Sequence, residues 1–191
     1  MTPIETRSLI LNSLGEGRLE SAWELMQANG ILRDDLDLSR LMEDLERKIS
    51  RENAGGNVRA VNRLKRRMRS LRVFREHGSV AREMIAPVEL PRGYQGKILL
   101  VRIVGGSAHG LVCLRSGDDW HREILQNTRE EIQDLGFEKS NVVPDGGAWI
   151  RFEADDTIVI HGSSKEFGTC DKQMAADLIS SVYPGKNILI Q

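Results

Sequence analysis

Four histidines are the side chains in this 191-residue sequence best suited to acid–base or nucleophilic chemistry near neutral pH. His77 ends a basic helix, where the helix dipole favours a cation, His109 lies in a glycine-rich turn, and His161 ends a strand. His121 differs because it opens a predicted helix, and a helix N-terminus disfavours the imidazolium ion. One ring nitrogen then stays available as a base or nucleophile, so His121 is the candidate catalytic residue.

A second candidate feature is the loop of residues 161–168, with the sequence His-Gly-Ser-Ser-Lys-Glu-Phe-Gly. The loop is predicted to join a strand to a helix, so its backbone N–H groups and the helix N-terminus could hold an anion. Lys97, at the start of the first strand, could neutralise a bound phosphoryl group. The alternatives are a solvated lysine and a turn that binds nothing. The candidate phosphate-binding residues are Lys97, Ser163, Ser164, Lys165 and Glu166.

Composition gives no sign of a cofactor. The two cysteines, Cys113 and Cys170, form no CxxC motif and no cluster with histidine, so neither a zinc site nor a disulfide framework is predicted. The formal net charge of −1 selects no polyanionic partner for the whole chain. Neither a secretory signal nor an apolar run of membrane-spanning length is apparent. We therefore expect a cytoplasmic protein without a membrane partner, a metal or a cofactor.

Apolar spacing predicts four helices in the first 85 residues. The first ends at Gly15, the second at Asn29-Gly30, and Asp37 or Ser39 is expected to cap the third. The fourth is expected from about Val58 to His77. These segments predict an all-helical domain over residues 1–85, followed by a linker at 86–95 that contains two prolines.

The remaining residues, 96–191, predict a small mixed-sheet α/β domain with the element order β-β-α-β-β-α-β, which makes the whole chain α+β. Asp118 or Asp119 is expected to cap the first of the two helices. The expected strands are near 97–104, 111–114, 148–152, 157–161 and 187–190, and the helices near 120–135 and 169–182.

The fourth helix is strongly basic: residues 51–75 contain nine arginines and lysines and one acid, Glu52. Such a helix could neutralise nucleic-acid phosphates, contact a partner protein, lie on a membrane surface, or pair internally with the acidic residues between 34 and 46. Few aromatic residues accompany the charges, which argues against sequence-specific binding of single strands. The candidate contacts are Arg63, Lys65, Arg66, Arg67, Arg69 and Arg72.

Three segments occur in an order that resembles the Janus/ocnus family, which includes the small eukaryotic phosphohistidine phosphatase. They are Gly96-Lys-Ile-Leu-Leu-Val-Arg102, the pair Trp120-His121, and the stretch from Gly146 through the loop to Gly185. The resemblance covers about residues 92–191. It implies that His121 is the catalytic histidine, acting as general base or transient phosphoryl acceptor. It also implies that Lys97, Ser164 and the N–H groups of Lys165 and Glu166 bind phosphate.

The sequence departs from the family pattern at two places. Ala148 stands where the family has an arginine, which leaves Arg151 as a possible anion contact. Glu166 would place a negative charge beside a phosphate unless its side chain points away.

The resemblance implies a phosphatase that hydrolyses a phosphoramidate, such as phosphohistidine on a protein substrate. The helical domain, which lies outside the resemblance, is expected to select the partner. The alternative is a non-catalytic regulator that binds an anionic ligand, and nucleic acid or a partner protein through the basic helix.

Overall fold

A computed structural model describes residues 2–80, 82–117 and 120–191. Within these residues the chain forms six α-helices and one six-stranded mixed sheet, which confirms the predicted α+β class. The chain divides into two compact units. The helical unit contains residues 1–85, 106–108 and 130–140, and the sheet unit contains 86–105, 109–129 and 141–191. Whether 1–85 and 96–191 are separate domains joined by a linker stays a prediction.

The helical unit begins with four helices that confirm the predicted pattern. Their N-termini are capped by the side chains of Thr2 for the first, Asp37 for the third and Asn57 for the fourth. Gly30 and Gly78 take left-handed conformations at two C-termini, where a side chain would be strained. The helices are α1 (Pro3–Gly15), α2 (Leu19–Asn29), α3 (Leu38–Ala54) and α4 (Val58–His77).

Residues 106–108 and 130–140 complete the helical unit, and the carboxylates of Glu20 and Glu138 connect these segments to α2 by hydrogen bonds. Glu20, on α2, is only 3% exposed. It accepts hydrogen bonds from the N–H of Ser107 at 2.5 Å, from the hydroxyl of Ser107 at 2.6 Å and from the N–H of Lys139 at 2.6 Å. Glu138 accepts from the N–H of Ser21 at 2.7 Å and so caps α2 from 117 residues away. Local sequence patterns do not reveal partners at this separation.

Glu20→Ala is expected to lower the free energy of unfolding by about 3 kcal/mol, because it leaves three donors in a buried site without their acceptor. Urea denaturation followed by circular dichroism measures the loss. Glu24→Ala is the matched control, since Glu24 lies on the same helix and pairs with the exposed ammonium of Lys139. An exposed ion pair of this kind contributes less than about 1 kcal/mol. Equal losses of unfolding free energy in the two variants would show that the hydrogen bonds of the Glu20 carboxylate do not stabilise the fold.

The sheet unit contains six strands: β1 (Val88–Glu89), β2 (Gly96–Val104), β3 (Val112–Ser116), β4 (Asn141–Phe152), β5 (Ile158–His161) and β6 (Ile188–Ile190). Their order in the sheet is β1-β3-β2-β4-β5-β6. The pairs β3–β2, β2–β4 and β4–β5 are antiparallel, and the outer pairs β1–β3 and β5–β6 are parallel. Two helices follow β3 and β5: α5 (His121–Asp134), which enters the helical unit at residue 130, and α6 (Lys172–Val182).

Three element boundaries differ from the sequence expectation. Strand β1 lies within the predicted linker, and β4 begins at Asn141 rather than near 148. The early part of β4 contains Pro144 and two glycines, which are typical of turns, and the register with β2 shifts between Leu99 and Val101. Helix α6 begins at Lys172 rather than 169, with Asp171 as its cap. The expected cap at Asp118 or Asp119 lies outside the described residues.

The two faces of the central strands have different environments. Ile98, Leu100, Ala148 and Ile150 form a buried cluster with β5 and with Ala175, Ala176 and Ile179 of α6. Because side chains alternate along a strand, Lys97, Leu99, Gly147, Trp149 and His161 belong to the opposite face. The candidate site residues of β2, β4 and β5 therefore share the face that does not carry α6.

Candidate functional site

His121, the first residue of α5, lies against the backbone of β4. The residue is 6% exposed, and its Nε2 is 3.3 Å from the carbonyl oxygen of Ala148. A carbonyl can only accept, so this contact assigns the proton of a neutral ring to Nε2 and leaves the lone pair on Nδ1. Nδ1 is therefore the ring atom suited to act as a base or nucleophile.

Gly147 brings His121 and the predicted phosphate loop to one point. A Cβ atom placed on Gly147 would lie 2.6 Å from Nε2 and Cδ2 of His121 and 2.9 Å from Cβ of Ser164. Both side chains thus approach β4 through space that only a glycine leaves open. The structure therefore places the candidate catalytic histidine beside the loop serine, as their pairing in the sequence prediction requires.

The loop closes on itself around Ser164. The N–H of Ser164 donates to the carbonyl of Gly168 at 3.1 Å, and the N–H of Gly168 donates to the carbonyl of Ser164 at 3.0 Å. The buried hydroxyl oxygen of Ser164 accepts from the N–H of Glu166 at 3.3 Å and of Phe167 at 3.1 Å. Two incoming donors leave the hydroxyl hydrogen to be donated elsewhere, so Ser164 is prepared as a hydrogen-bond donor.

This closure differs from the expected anion loop in two respects. The N–H of Glu166, predicted to contact phosphate, donates to Ser164, and the helix that was expected to follow directly begins only at Lys172. The side chains of Ser163, Lys165 and Glu166 are exposed. Of the predicted loop residues, Ser164 is the one whose side chain the structure buries beside His121.

The end of the loop is attached to β4. The N–H of Gly147 donates to the carbonyl of Gly168 at 3.0 Å, and the N–H of Cys170 donates to the carbonyl of Gly147 at 3.2 Å. A Cβ on Gly146 would meet the backbone of Thr169 and Cys170 at 2.5–2.6 Å. The two glycines of β4 therefore let the loop backbone approach closely, and the position of Ser164 is fixed relative to the strand.

Lys97 lies between two tryptophan rings on the same sheet face. Its Nζ is 4.9 Å from the ring centroid of Trp120 and 5.0 Å from that of Trp149. Trp120 directly precedes His121, and Trp149 is the cross-strand partner of Lys97. The ammonium group, which these cation–π contacts hold, is therefore near the start of α5, where a phosphoryl group beside His121 would need positive charge.

Arg151 is not brought to this site. Its Nε donates to the carboxylate of Glu153 at 2.6 Å, and it lines a separate groove with Asp155, Leu189 and other residues of β5 and β6. Ala148, which stands in the place of the family's arginine, is fully buried in the cluster under α6. The structure thus gives no arginine contact with His121 from either position.

A groove of about 560 Å³ runs between the first turns of α5 and the loop, and it adds two arginines that the sequence analysis did not single out. Arg122 and Arg129 line it together with Glu166. The two arginines are seven residues apart on α5 and so share one helix face, which is the sequence signal that was available. The remaining lining residues are Glu123, Leu125, Gln126, Pro144 and Phe167.

Several cations of α4 are engaged within the helical unit. The expected pairing with residues 34–46 is seen for Arg72 with Glu46 at 3.8 Å. Acids of the segment 130–140 supply other partners, Glu130 for Arg59 at 2.9 Å and Asp134 for Arg66 at 3.3 Å. Arg69 donates to the carbonyl of Met84 at 2.5 Å. The internal partners of α4 therefore come mainly from a part of the chain far away in sequence.

Burial disfavours the charged forms of Arg67 and Asp134 in the helical unit. Burial, assisted by the nearby Arg63, lowers the pKa of Arg67, and Asp134 opposes this shift. The Nε of Arg67 is buried and has no hydrogen-bond partner among the described residues. Burial also raises the pKa of Asp134, although Arg66 acts to lower it. Of the six candidate contact residues on α4, Arg63, Lys65 and Arg69 are exposed without a described ion pair, and Arg69 donates to a backbone carbonyl.

The two cysteines and His109 also have side chains of potential reactivity, and they lie in the core or in a turn. Cys113 and Cys170 form no disulfide and both are buried, and burial raises the pKa of the Cys170 thiol, which makes it a poor nucleophile at neutral pH. Nδ1 of His109 accepts from the N–H of Gly105 at 3.0 Å and so supports a turn. Among residues 2–80, 82–117 and 120–191, no three His, Cys, Asp or Glu side chains form a group that could hold a metal ion. None of the helices in these ranges has the length and apolar character needed to cross a membrane.

Comparison with protein-family models matches residues 82–187 to the Janus/Ocnus family. The match covers more than half of the 191-residue chain, and it includes strands β1 to β5 and ends just before β6. Helices α1 to α4 precede it. A search of curated proteins finds no match.

Proposed function

Since this chain belongs to the Janus/Ocnus family, we propose that it is a phosphatase that hydrolyses the P–N bond of a phosphoramidate, such as phosphohistidine on a protein. The observation that carries the proposal is the meeting of the His121 ring and Ser164 over Gly147. The Nε2–Cδ2 edge of that ring faces Gly147 and Ser164, whose hydroxyl is a polarised donor, and Nδ1, on the other side of the ring, is free of the contact with the Ala148 carbonyl. This pair supplies a base or nucleophile together with a donor for a phosphoryl oxygen.

Two routes use the same atoms. In the first, Nδ1 of His121 removes a proton from water while the water oxygen bonds to phosphorus and the P–N bond breaks. In the second, Nδ1 itself bonds to phosphorus as the P–N bond breaks, and water then releases phosphate from His121. In both, the departing nitrogen keeps the electron pair of the P–N bond, and the substrate ring leaves as neutral imidazole because its other nitrogen carries a proton taken up from solvent. In both, the Ser164 hydroxyl and the Lys97 ammonium stabilise the negative charge on the phosphoryl oxygens.

The helical unit is proposed to select the protein substrate. Arg63 and Lys65 on α4 present exposed cations that would favour an acidic partner surface. The engagement of Arg59, Arg66 and Arg72 by carboxylates of the same unit supports a protein partner over nucleic acid, because fewer cations are left to neutralise phosphates.

A pair of peptides tests the proposed reaction. One carries phosphohistidine and the other carries phosphoserine at the same position of the same sequence. The protein is expected to release inorganic phosphate from the phosphohistidine peptide at least about a hundredfold faster, since the P–N bond is the weaker one. Binding of the phosphohistidine peptide without phosphate release would support the non-catalytic regulator instead.

A further inference from the structure

Two exposed tryptophans stand at the proposed phosphoryl site. Trp149 is 40% exposed and Trp120 is 59% exposed, although indole rings are usually buried over most of their surface. Both flank the ammonium of Lys97 at about the same distance, 5.0 and 4.9 Å. The described part of the chain thus places open aromatic surface and a fixed positive charge together.

The indole ring of Trp149 packs against Gly162 along one edge, and part of the residue is exposed to solvent. The ring lies in a cross-strand row between Lys97 on β2 and His161 on β5. A Cβ on Gly162 would be 3.1 Å from its Cδ1 atom, so the glycine that follows His161 makes room for the indole. An aromatic ring fixed in this way can receive a planar group without losing much conformational freedom.

The distance from Trp149 to the phosphoryl site suits a substrate group. Gly147, over which His121 and Ser164 meet, is two residues before Trp149 on β4 and faces the same side of the sheet. Two residues of strand span roughly 7 Å. The group that carries the phosphoryl would therefore reach the indole face when the phosphorus is at His121.

From this arrangement we propose that the exposed indole surface of Trp149 is the leaving-group subsite and selects a planar ring over an aliphatic amine. This inference rests on the proposed phosphoramidate hydrolysis. An imidazole stacks on an indole face. A protonated alkylamine, as in a phospholysine substrate after cleavage, would instead meet the ammonium of Lys97, which already occupies the cation position between the rings.

Trp149→Leu tests the subsite, because leucine keeps apolar surface and removes the ring. The variant is assayed with two substrates, a phosphohistidine peptide and phosphoramidate, which has no ring. kcat/KM for the peptide is expected to fall about tenfold more than kcat/KM for phosphoramidate, because only the peptide carries a ring that stacks. The lost cation–π contact with Lys97 lowers kcat/KM for both substrates alike, by about two- to fivefold. Trp149→Phe is expected to recover most of the loss. Val143→Ala, at an exposed position on the same strand, is the control and should change neither substrate.

The two proposals fail in different ways. If Trp149→Leu lowers kcat/KM for both substrates equally, or for neither, the subsite is overturned while phosphoramidate hydrolysis stands. If the wild type hydrolyses neither substrate, the proposed function fails and the subsite fails with it. Thermal unfolding checks that the variants are folded. Should the leucine variant not fold, Trp149→Met provides the same comparison.

Discussion

His121→Gln is expected to reduce kcat/KM for a phosphohistidine peptide by about 10³-fold or more. Glutamine can keep a donor near the carbonyl of Ala148, which Nε2 contacts at 3.3 Å, so the fold around β4 should persist. Its amide has no basic or nucleophilic nitrogen to replace Nδ1, and both proposed routes depend on that atom. Phosphate release under single-turnover conditions, compared with the wild type, measures the loss of the chemical step.

The control for this variant is His109→Gln. His109 belongs to the same unit, and its Nδ1 accepts from the N–H of Gly105 in a turn. A glutamine there removes a histidine without touching β4, and activity is expected to stay within about threefold of the wild type, since a surface turn bond contributes little. A His121 variant as active as the wild type would refute the assignment of His121. So would an equal loss in both variants.

Gly147→Ala has the second large expected effect, a reduction of about 10²-fold in kcat/KM. The new Cβ would lie 2.6 Å from Nε2 and Cδ2 of His121, closer than real carbon contacts come, so the ring must move. Misplacing a catalytic group by about 1 Å costs about this much. Gly147 is not among the glycines with positive φ, so its backbone accepts alanine and the effect arises from the displaced ring. Steady-state kinetics with the phosphohistidine peptide measure it.

Gly55→Ala is the matched substitution at a remote glycine. Its Cβ would make ordinary contacts of 3.6 and 3.7 Å with backbone oxygens, at a φ of −79°. Activity should therefore be unchanged. Overpacking at Gly147 is expected to lower the free energy of unfolding by about 1–3 kcal/mol. Activity is therefore compared at a temperature at which the Gly147→Ala and Gly55→Ala variants are both folded. Full activity in a folded Gly147→Ala variant would show that the ring position does not matter.

Local patterns in the sequence predict the helices well, because each rests on signals within a few residues. The apolar spacing is enough to bound α4 at about Val58 and His77, as the structure has it. The α+β class follows in the same way from the change of periodicity after residue 95. The candidate histidine is also a local inference, since its position at the start of α5 is readable from the helix pattern.

The missed features depend on contacts that are distant in sequence. The early half of β4 contains Pro144 and Gly146, which indicate a turn, and it becomes a strand through pairing with β2. Glu20 resembles a solvated helix residue until its partners, 87 and 119 residues away, bury it. Trp149 becomes a candidate only when the register places it opposite Lys97. Tertiary context decides each of these cases, and a single sequence does not contain it in local form.

The most direct test of the central claim follows a phosphohistidine peptide by ³¹P NMR with a catalytic amount of the wild-type protein. With the wild type, the phosphohistidine resonance is expected to disappear and inorganic phosphate to appear in equal amount, well ahead of spontaneous hydrolysis. With the His121→Gln protein, the phosphohistidine resonance is expected to decay only at the rate of spontaneous hydrolysis. Loss of the phosphohistidine signal at the same rate with both proteins, or at the spontaneous rate with both, would contradict the central claim.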